Sequence, residues 1–189
     1  MHREVTVKRD FCSLTAAEAL RIAILVEERN AQIYQQLGDL FLQFCPDFPS
    51  LALSFLELET TERHHATTLS TRFRERYGNL NLAIAEEEVR DFIEVPKFDV
   101  ANVLTAVEKG QPGSARHIAL EIANAAERSA LYFYSRLAAN TLDPELKSLY
   151  EEFVAMEQEH VNLLDIEMSV ERTSAEANLV PLKPNSYHE

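Results

Sequence analysis

One arrangement of acidic and histidine residues occurs twice in the sequence, about 100 residues apart. In each copy, one segment with a helical apolar pattern carries a glutamate, and the next such segment carries a Glu-x-x-His motif. The six residues are Glu27, Glu62 and His65 in the first copy, and Glu127, Glu157 and His160 in the second. Residues i and i+3 of an α-helix lie about 60° apart on one face, so both side chains of each motif can reach the same point. The repeat therefore predicts two similar helical hairpins with their polar side chains directed at a shared interior.

The apolar periodicity and the helix-boundary signals predict four long helices. Thr15 followed by Glu18 is a capping box, Asp47 is predicted to cap the second helix, and Asp143 before Pro144 is a start signal for the fourth. The predicted helices span 15–44, 48–77, 114–140 and 144–171, and the crossover 78–113 is too long for a hairpin loop. We therefore predict an all-α, ferritin-like antiparallel four-helix bundle with a long crossover between helices 2 and 3. It forms a single domain over 1–172, followed by a C-terminal tail over 173–189 that is a strap or is disordered.

Composition argues against several classes of protein. Lys+Arg is 18 and Asp+Glu is 31, for a net charge of −13, which disfavours binding to nucleic acid. No apolar run reaches the ~18 residues that span a membrane. Cys12 and Cys45 form no CxxC pair, so neither a four-cysteine metal site nor a disulfide is expected. The N-terminus lacks the apolar stretch of a signal peptide, and we expect a cytoplasmic protein.

The glutamates of the repeat fall on the apolar faces of their helices. Four carboxylates directed at one core are very costly unless a cation binds them. Two divalent ions balance four negative charges, and carboxylate and imidazole ligands suit iron or manganese. We predict two iron ions, with manganese or a mixed pair as the alternative. The substitution Glu127→Ala would remove one of these buried charges. We therefore expect the metal-free variant to be at least as stable as the metal-free wild type.

The two motifs together resemble the rubrerythrin-related branch of the ferritin-like superfamily. The segments 27–37 and 127–137 share Glu, Tyr and Leu at the same spacing, and each is followed by Glu-x-x-His. The resemblance covers roughly residues 15–171 and implies a non-haem di-iron site. It implies Glu27 and His65 as terminal ligands of one iron, Glu127 and His160 as those of the other, and Glu62 and Glu157 as bridges.

The sequence departs from rubrerythrins in two respects. It contains no cysteine pairs of the kind that form a rubredoxin iron site, and Ala130 occupies the position where those proteins carry a second glutamate on the third helix. The six-residue set is equally similar to the ferroxidase centre of bacterioferritin, although the longer crossover argues against a ferritin cage. Peroxide reduction and ferroxidase activity therefore both stay open.

The functional prediction is a di-iron oxidoreductase that reacts with O2 or hydrogen peroxide. It acts either as a peroxidase or as a ferroxidase that oxidises Fe(II), and a peroxidase would need a separate electron donor. The alternatives are a non-catalytic iron-binding or storage protein and a structural ferritin-like bundle. We expect a homodimer, with helix exchange between subunits as a variant, and no nucleic-acid or membrane partner.

Several polar residues near the motifs have predicted roles. Tyr34 and Tyr134 lie two helical turns after Glu27 and Glu127, and each is predicted to hydrogen-bond a ligand carboxylate across the bundle. The alternative for both is an ordinary core tyrosine. Asn124 is a candidate to orient Glu127. Glu59 is predicted to be a solvated neighbour of Glu62, with an extra-ligand or proton-relay role as the alternative. His64 is predicted to lie at the surface, and His117 is predicted to lie too far from Glu127 to bind a metal there.

Overall fold

The computed structural model describes residues 10–93 and 100–179, and this part of the chain is helical with no strand. A 3-10 turn over Phe11–Ser13 precedes six α-helices. These are α1 (Ala16–Phe44), α2 (Pro49–Tyr77), α3 (Glu86–Phe92), α4 (Val100–Glu108), α5 (Pro112–Asn140) and α6 (Pro144–Leu179). Helices α1 and α2 pack as one hairpin, and α5 and α6 pack as the other. The predicted all-α, ferritin-like bundle is confirmed.

Local signals explain where most of the long helices begin. The Thr15 side chain accepts a hydrogen bond from the Glu18 N–H, and the Glu18 carboxylate accepts one from the Thr15 N–H, which satisfies free donors at the start of α1. Asp143 Oδ1 accepts hydrogen bonds from the first amides of α6, at 3.0 and 3.2 Å. The predicted cap at Asp47 is wrong. Helix α2 begins at Pro49 with no side-chain cap, because proline already supplies a helical φ and has no N–H to satisfy.

Helix α6 is longer than the sequence pattern predicted. It continues to Leu179, whereas the prediction ended the helix near residue 171 and gave the tail from 173 no regular structure. The segment 173–179 loses its apolar period but contains no proline or glycine, so the backbone has no reason to leave the helix there. Pro181 is the first residue that opposes continuation. The rest of the predicted tail, 180–189, lies outside the described residues.

Both short helices of the crossover pack against the bundle. Val89 and Phe92 of α3 join one apolar cluster, and Val103 and Ala106 of α4 join another. The first cluster contains the part of α1 before Glu27 and the part of α5 after Glu127, and the second contains the opposite parts of both helices. The two clusters therefore lie on either side of the layer that holds the repeated glutamates. None of the helices in the described ranges is long and apolar enough to cross a bilayer.

Candidate metal centre

The structure brings the six repeated residues together in the interior of the bundle. Helices α1 and α5 contribute one glutamate each, and α2 and α6 contribute one Glu-x-x-His motif each. The four glutamates are fully buried, and the side chains of His65 and His160 are 4% and 12% exposed. Their role as metal ligands stays a prediction, while their convergence is an observed property of the fold.

Each histidine faces three carboxylates. The Nδ1 atom of His65 lies 3.2 Å from Glu27 Oε2, 3.6 Å from Glu62 Oε2 and 3.8 Å from Glu157 Oε1. The corresponding atom of His160 lies 3.1 Å from Glu62 Oε1, 3.3 Å from Glu127 Oε2 and 3.8 Å from Glu157 Oε2. The donor atoms form two quartets, each within 4.8 Å. The quartets are Glu27, Glu62, His65 and Glu157, and Glu62, Glu127, Glu157 and His160.

The two quartets share Glu62 and Glu157, and each shared carboxylate directs one oxygen toward each histidine. This division arises because the two Glu-x-x-His motifs lie on different hairpins that face each other. The arrangement has two adjacent sites with two carboxylates between them and one further carboxylate and one imidazole at each end.

Two buried tyrosines connect the hairpins above and below this layer. The hydroxyl of Tyr34 on α1 donates a hydrogen bond to Glu127 on α5, and the hydroxyl of Tyr134 on α5 donates one to Glu27 on α1. Both phenols are fully buried, and burial raises the pKa of each, with the nearby carboxylates adding to the shift. Both phenols are therefore neutral donors that hold the terminal carboxylates in place. The predicted contacts across the bundle are present, and their effect on a bound metal stays a prediction.

The shared carboxylates lie close to both histidines but accept no hydrogen bond within the described part of the chain. Both oxygens of Glu62 and both oxygens of Glu157 are buried, and no described residue gives them a hydrogen bond of good geometry. Burial, together with the negative charges of Glu27 and Glu127, raises the pKa of both shared carboxyl groups well above the usual range. Four unpartnered carboxylate oxygens between two imidazoles are a costly arrangement that a bound cation would satisfy. The donor set therefore fits a metal site.

Glu127 behaves differently from the shared pair. Burial alone would raise its pKa, but the neighbouring His160, Glu157 and Tyr34 side chains lower it. Burial likewise disfavours the charged ring of His160, but the close carboxylates of Glu127, Glu157 and Glu62 raise its pKa from 6.5 to about 12. In the metal-free protein, Glu127 and His160 therefore form a buried ion pair. Glu127→Ala would remove the partner of this buried charge, so the contact favours a loss of stability in the metal-free protein over the unchanged stability that the sequence pattern predicts.

Other candidates from the sequence fall outside the centre. The predicted role of Asn124 is wrong, because its amide donates to Asp165 at 2.7 Å and accepts from Arg128 at 2.5 Å, in a network at the edge of α5 and α6. Glu59 pairs with Arg63 on the same helix. His64 is exposed, as predicted, and His117 is exposed and belongs to neither group of ligand atoms.

One buried polar residue was missed by the sequence pattern. Asn30 lies one turn after Glu27 on α1, and its amide nitrogen is buried without a hydrogen-bond partner among the described residues. The signal in the sequence was an asparagine on the apolar face of the helix, between Glu27 and Tyr34. A single polar residue on such a face does not by itself indicate a functional role.

Proton competition gives the centre a predicted pH dependence. A metal needs His160 neutral and both shared carboxyl groups ionised, so binding releases protons from groups whose pKa is raised. Since the folded pKa of His160 exceeds its unfolded value, the metal-free protein loses stability as pH rises from 6.5 towards about 12. The raised pKa values of Glu62 and Glu157 likewise make the metal-free protein less stable as pH rises. The increase in Tm on adding Mn(II) should therefore be larger at about pH 8 than at about pH 6. Thermal unfolding under anaerobic conditions measures it, and an increase that shrinks with rising pH would contradict the assignment.

Comparison with models of known protein families gives a match over most of the chain. The family model described as Rubrerythrin matches residues 18–168, a range that contains all six residues of the centre. No curated protein and no solved structure matches the chain significantly.

Proposed function

The chain belongs to the rubrerythrin family, and from that membership we propose that it is a non-haem di-iron oxidoreductase that reacts with O2 or hydrogen peroxide. The observation that carries the proposal is the pair of ligand quartets sharing two otherwise unpartnered carboxylates. Two ions at neighbouring positions need bridging ligands, and a single isolated ion does not. The shared pair is Glu62 and Glu157, and the end ligands are Glu27, His65, Glu127 and His160.

When bound, two ferrous ions would supply the two electrons that reduce peroxide, together with Lewis acidity towards its oxygen atoms. The chain's own residues bind and orient them. The shared carboxylates carry one oxygen for each site, and Tyr34 and Tyr134 restrain the end carboxylates from the opposite hairpin. The apolar clusters on both sides exclude bulk water, which strengthens each electrostatic interaction within the layer. His160 gives up its proton on metal binding and then serves as a neutral donor.

Ferroxidase activity is the second candidate function. Symmetry supports it, because the two quartets have the same composition and neither carries the additional carboxylate that Ala130 replaces on α5. A peroxidase needs a separate electron donor to restore the ferrous state, whereas a ferroxidase passes its iron on. Non-catalytic iron binding and a homodimeric assembly stay proposals, as do a cytoplasmic location and manganese in place of iron.

Rapid mixing tests the proposal. Anaerobic protein is loaded with two equivalents of Fe(II) per chain and mixed with stoichiometric O2 or hydrogen peroxide, and near-ultraviolet absorbance is followed. We expect oxidation faster than for Fe(II) in buffer, and metal analysis should give two irons per chain. A faster reaction with peroxide than with O2 favours the peroxidase, and the reverse favours the ferroxidase. Tight binding of iron without faster oxidation would contradict the enzymatic proposal and favour storage.

A further inference from the structure

The internal repeat places unlike aromatic residues at equivalent positions beside the centre. The same shift of 95 residues that carries Glu62 onto Glu157 also carries Phe55 onto Tyr150. Phe55 stacks on Tyr34 with ring centroids 6.3 Å apart, and Tyr150 packs against Tyr134 with centroids 6.4 Å apart. The two halves thus place a phenyl ring in one and a phenol in the other at similar distances, with the ring planes 10° apart in the first pair and 34° apart in the second.

The hydroxyl of Tyr150 is not needed for packing. The side chain is 1% exposed, and its hydroxyl has no hydrogen-bond partner among the described residues. A buried hydroxyl without a partner opposes folding. Phe55 fills the equivalent position without a hydroxyl and is itself fully buried. The phenol therefore needs an explanation other than stability.

We call Tyr134 and Tyr150 the first aromatic row and Tyr34 and Phe55 the second, and the two rows end in different surroundings. Tyr150 lines a cavity of about 320 Å³ at the end of the bundle, and Cys12, a free and exposed thiol, lines the same cavity. In the other half, Phe55 contacts Phe41 at 5.8 Å, and that row ends beside the buried Cys45. Only the first row, among the described residues, continues from a ligand-bonded tyrosine through a second tyrosine to an accessible thiol.

Phenol and phenyl side chains differ in redox chemistry. A phenol gives up one electron together with its hydroxyl proton to a strong oxidant, and a phenyl ring has no such proton to lose. We propose that Tyr134 and Tyr150 conduct oxidising equivalents from the metal centre to the cavity, where the Cys12 thiol is oxidised. This inference rests on the proposed function, which supplies the oxidant.

Electrons and atoms balance over the route. Tyr134, bonded to Glu27, loses one electron and one proton and regains both from Tyr150, which regains them from the Cys12 thiol. Two thiols oxidised in this way, Cys12 and a small external thiol or the Cys12 of a second chain, form one disulfide bond and release two electrons and two protons. These reduce one hydrogen peroxide to two waters. A further hydrogen peroxide that reaches the centre after both ferrous ions are oxidised would be the oxidant, and the two thiols would supply the electrons that the iron no longer holds.

The test measures the state of each cysteine rather than activity. Fe(II)-loaded protein and metal-free protein are exposed to hydrogen peroxide, the remaining thiols are alkylated, and peptide mass spectrometry gives the oxidised fraction of Cys12 and Cys45. The metal-free sample measures direct attack by peroxide on an exposed thiol. We expect Cys12 to be oxidised further in the loaded protein than in the metal-free protein, and Cys45 to stay reduced in both. In Tyr150→Phe, the oxidised fraction of Cys12 should be the same in the loaded and the metal-free protein.

Two controls separate the route from general damage. Tyr132→Phe removes a 60% exposed phenol near Tyr134 in the chain and should keep the excess oxidation of Cys12. Cys12→Ser removes the last donor, so a tyrosyl radical should accumulate in freeze-quenched electron paramagnetic resonance spectra. Equal oxidation of Cys12 in wild type and Tyr150→Phe, with iron oxidation intact, would overturn the route. Absence of iron oxidation in the wild type would instead overturn the proposed function.

Discussion

Glu62→Ala is expected to slow the oxidation of protein-bound Fe(II) by at least about 100-fold, which exceeds the effect of losing a residue that only supports a ligand. Glu62 belongs to both ligand quartets, so its removal takes one donor from each site at once. Loss of Glu27 would remove a donor from one site only. Stopped-flow absorbance after mixing the anaerobic, iron-loaded variant with peroxide measures the effect.

Glu59→Ala is the matched control for this substitution. Glu59 lies on the same helix, one turn before Glu62, and pairs with the largely exposed Arg63 rather than with the centre. Its loss should leave the oxidation rate close to that of the wild type, since Glu59 belongs to neither ligand quartet. If Glu62→Ala oxidises Fe(II) as fast as Glu59→Ala and the wild type, the shared carboxylate has no part in the reaction. That result would favour a structural or storage protein.

Removal of metal is expected to lower Tm by roughly 5–15 °C. Metal at about 100–1,000 times its Kd stabilises the folded chain by about 3–4 kcal/mol, and about 1 kcal/mol shifts Tm by roughly 2–4 °C in a domain of this size. Within the metal-free protein, the two classes of glutamate should separate. Glu157→Gln should leave Tm unchanged or raise it, because the replaced carboxyl group has no hydrogen-bond partner and a raised pKa. Glu127→Gln should lower Tm, since it breaks the pair with His160.

Thermal unfolding of the wild type and both variants, with chelator and with Mn(II), measures these shifts. Both variants should lose most of the stabilisation by metal, because both lose a ligand. A metal-free Glu157→Gln protein that melts well below the wild type would contradict the assignment, since it would show that Glu157 already has a stabilising partner within the protein. An unchanged Tm on adding chelator would show that the centre binds no metal that matters for folding.

The sequence was most informative where a short repeat coincided with helical geometry. Residues three apart on a helix must share a face, so Glu62 and His65 were predicted to act together whatever the rest of the chain does. The caps at Thr15 and Asp143 could be predicted for the same reason, because each capping hydrogen bond joins residues within four positions of each other. The sequence was less informative at Asn124, whose side chain has a choice of neighbours. It bonds Arg128 and Asp165 at the surface, and its spacing from Glu127 could not reveal that choice.

The sequence by itself determined the class of fold, the two hairpins and the identity of the six residues that converge, because each follows from local periodicity and from the energetic need to neutralise buried charge. Only the tertiary structure decided how the four glutamates differ. Glu127 hydrogen-bonds His160 and Tyr34, whereas Glu62 and Glu157 accept no hydrogen bond from the described residues of the two hairpins. That difference depends on distances between helices that are far apart in the chain. A pattern along one helix fixes the direction of a side chain but not the atom that it meets.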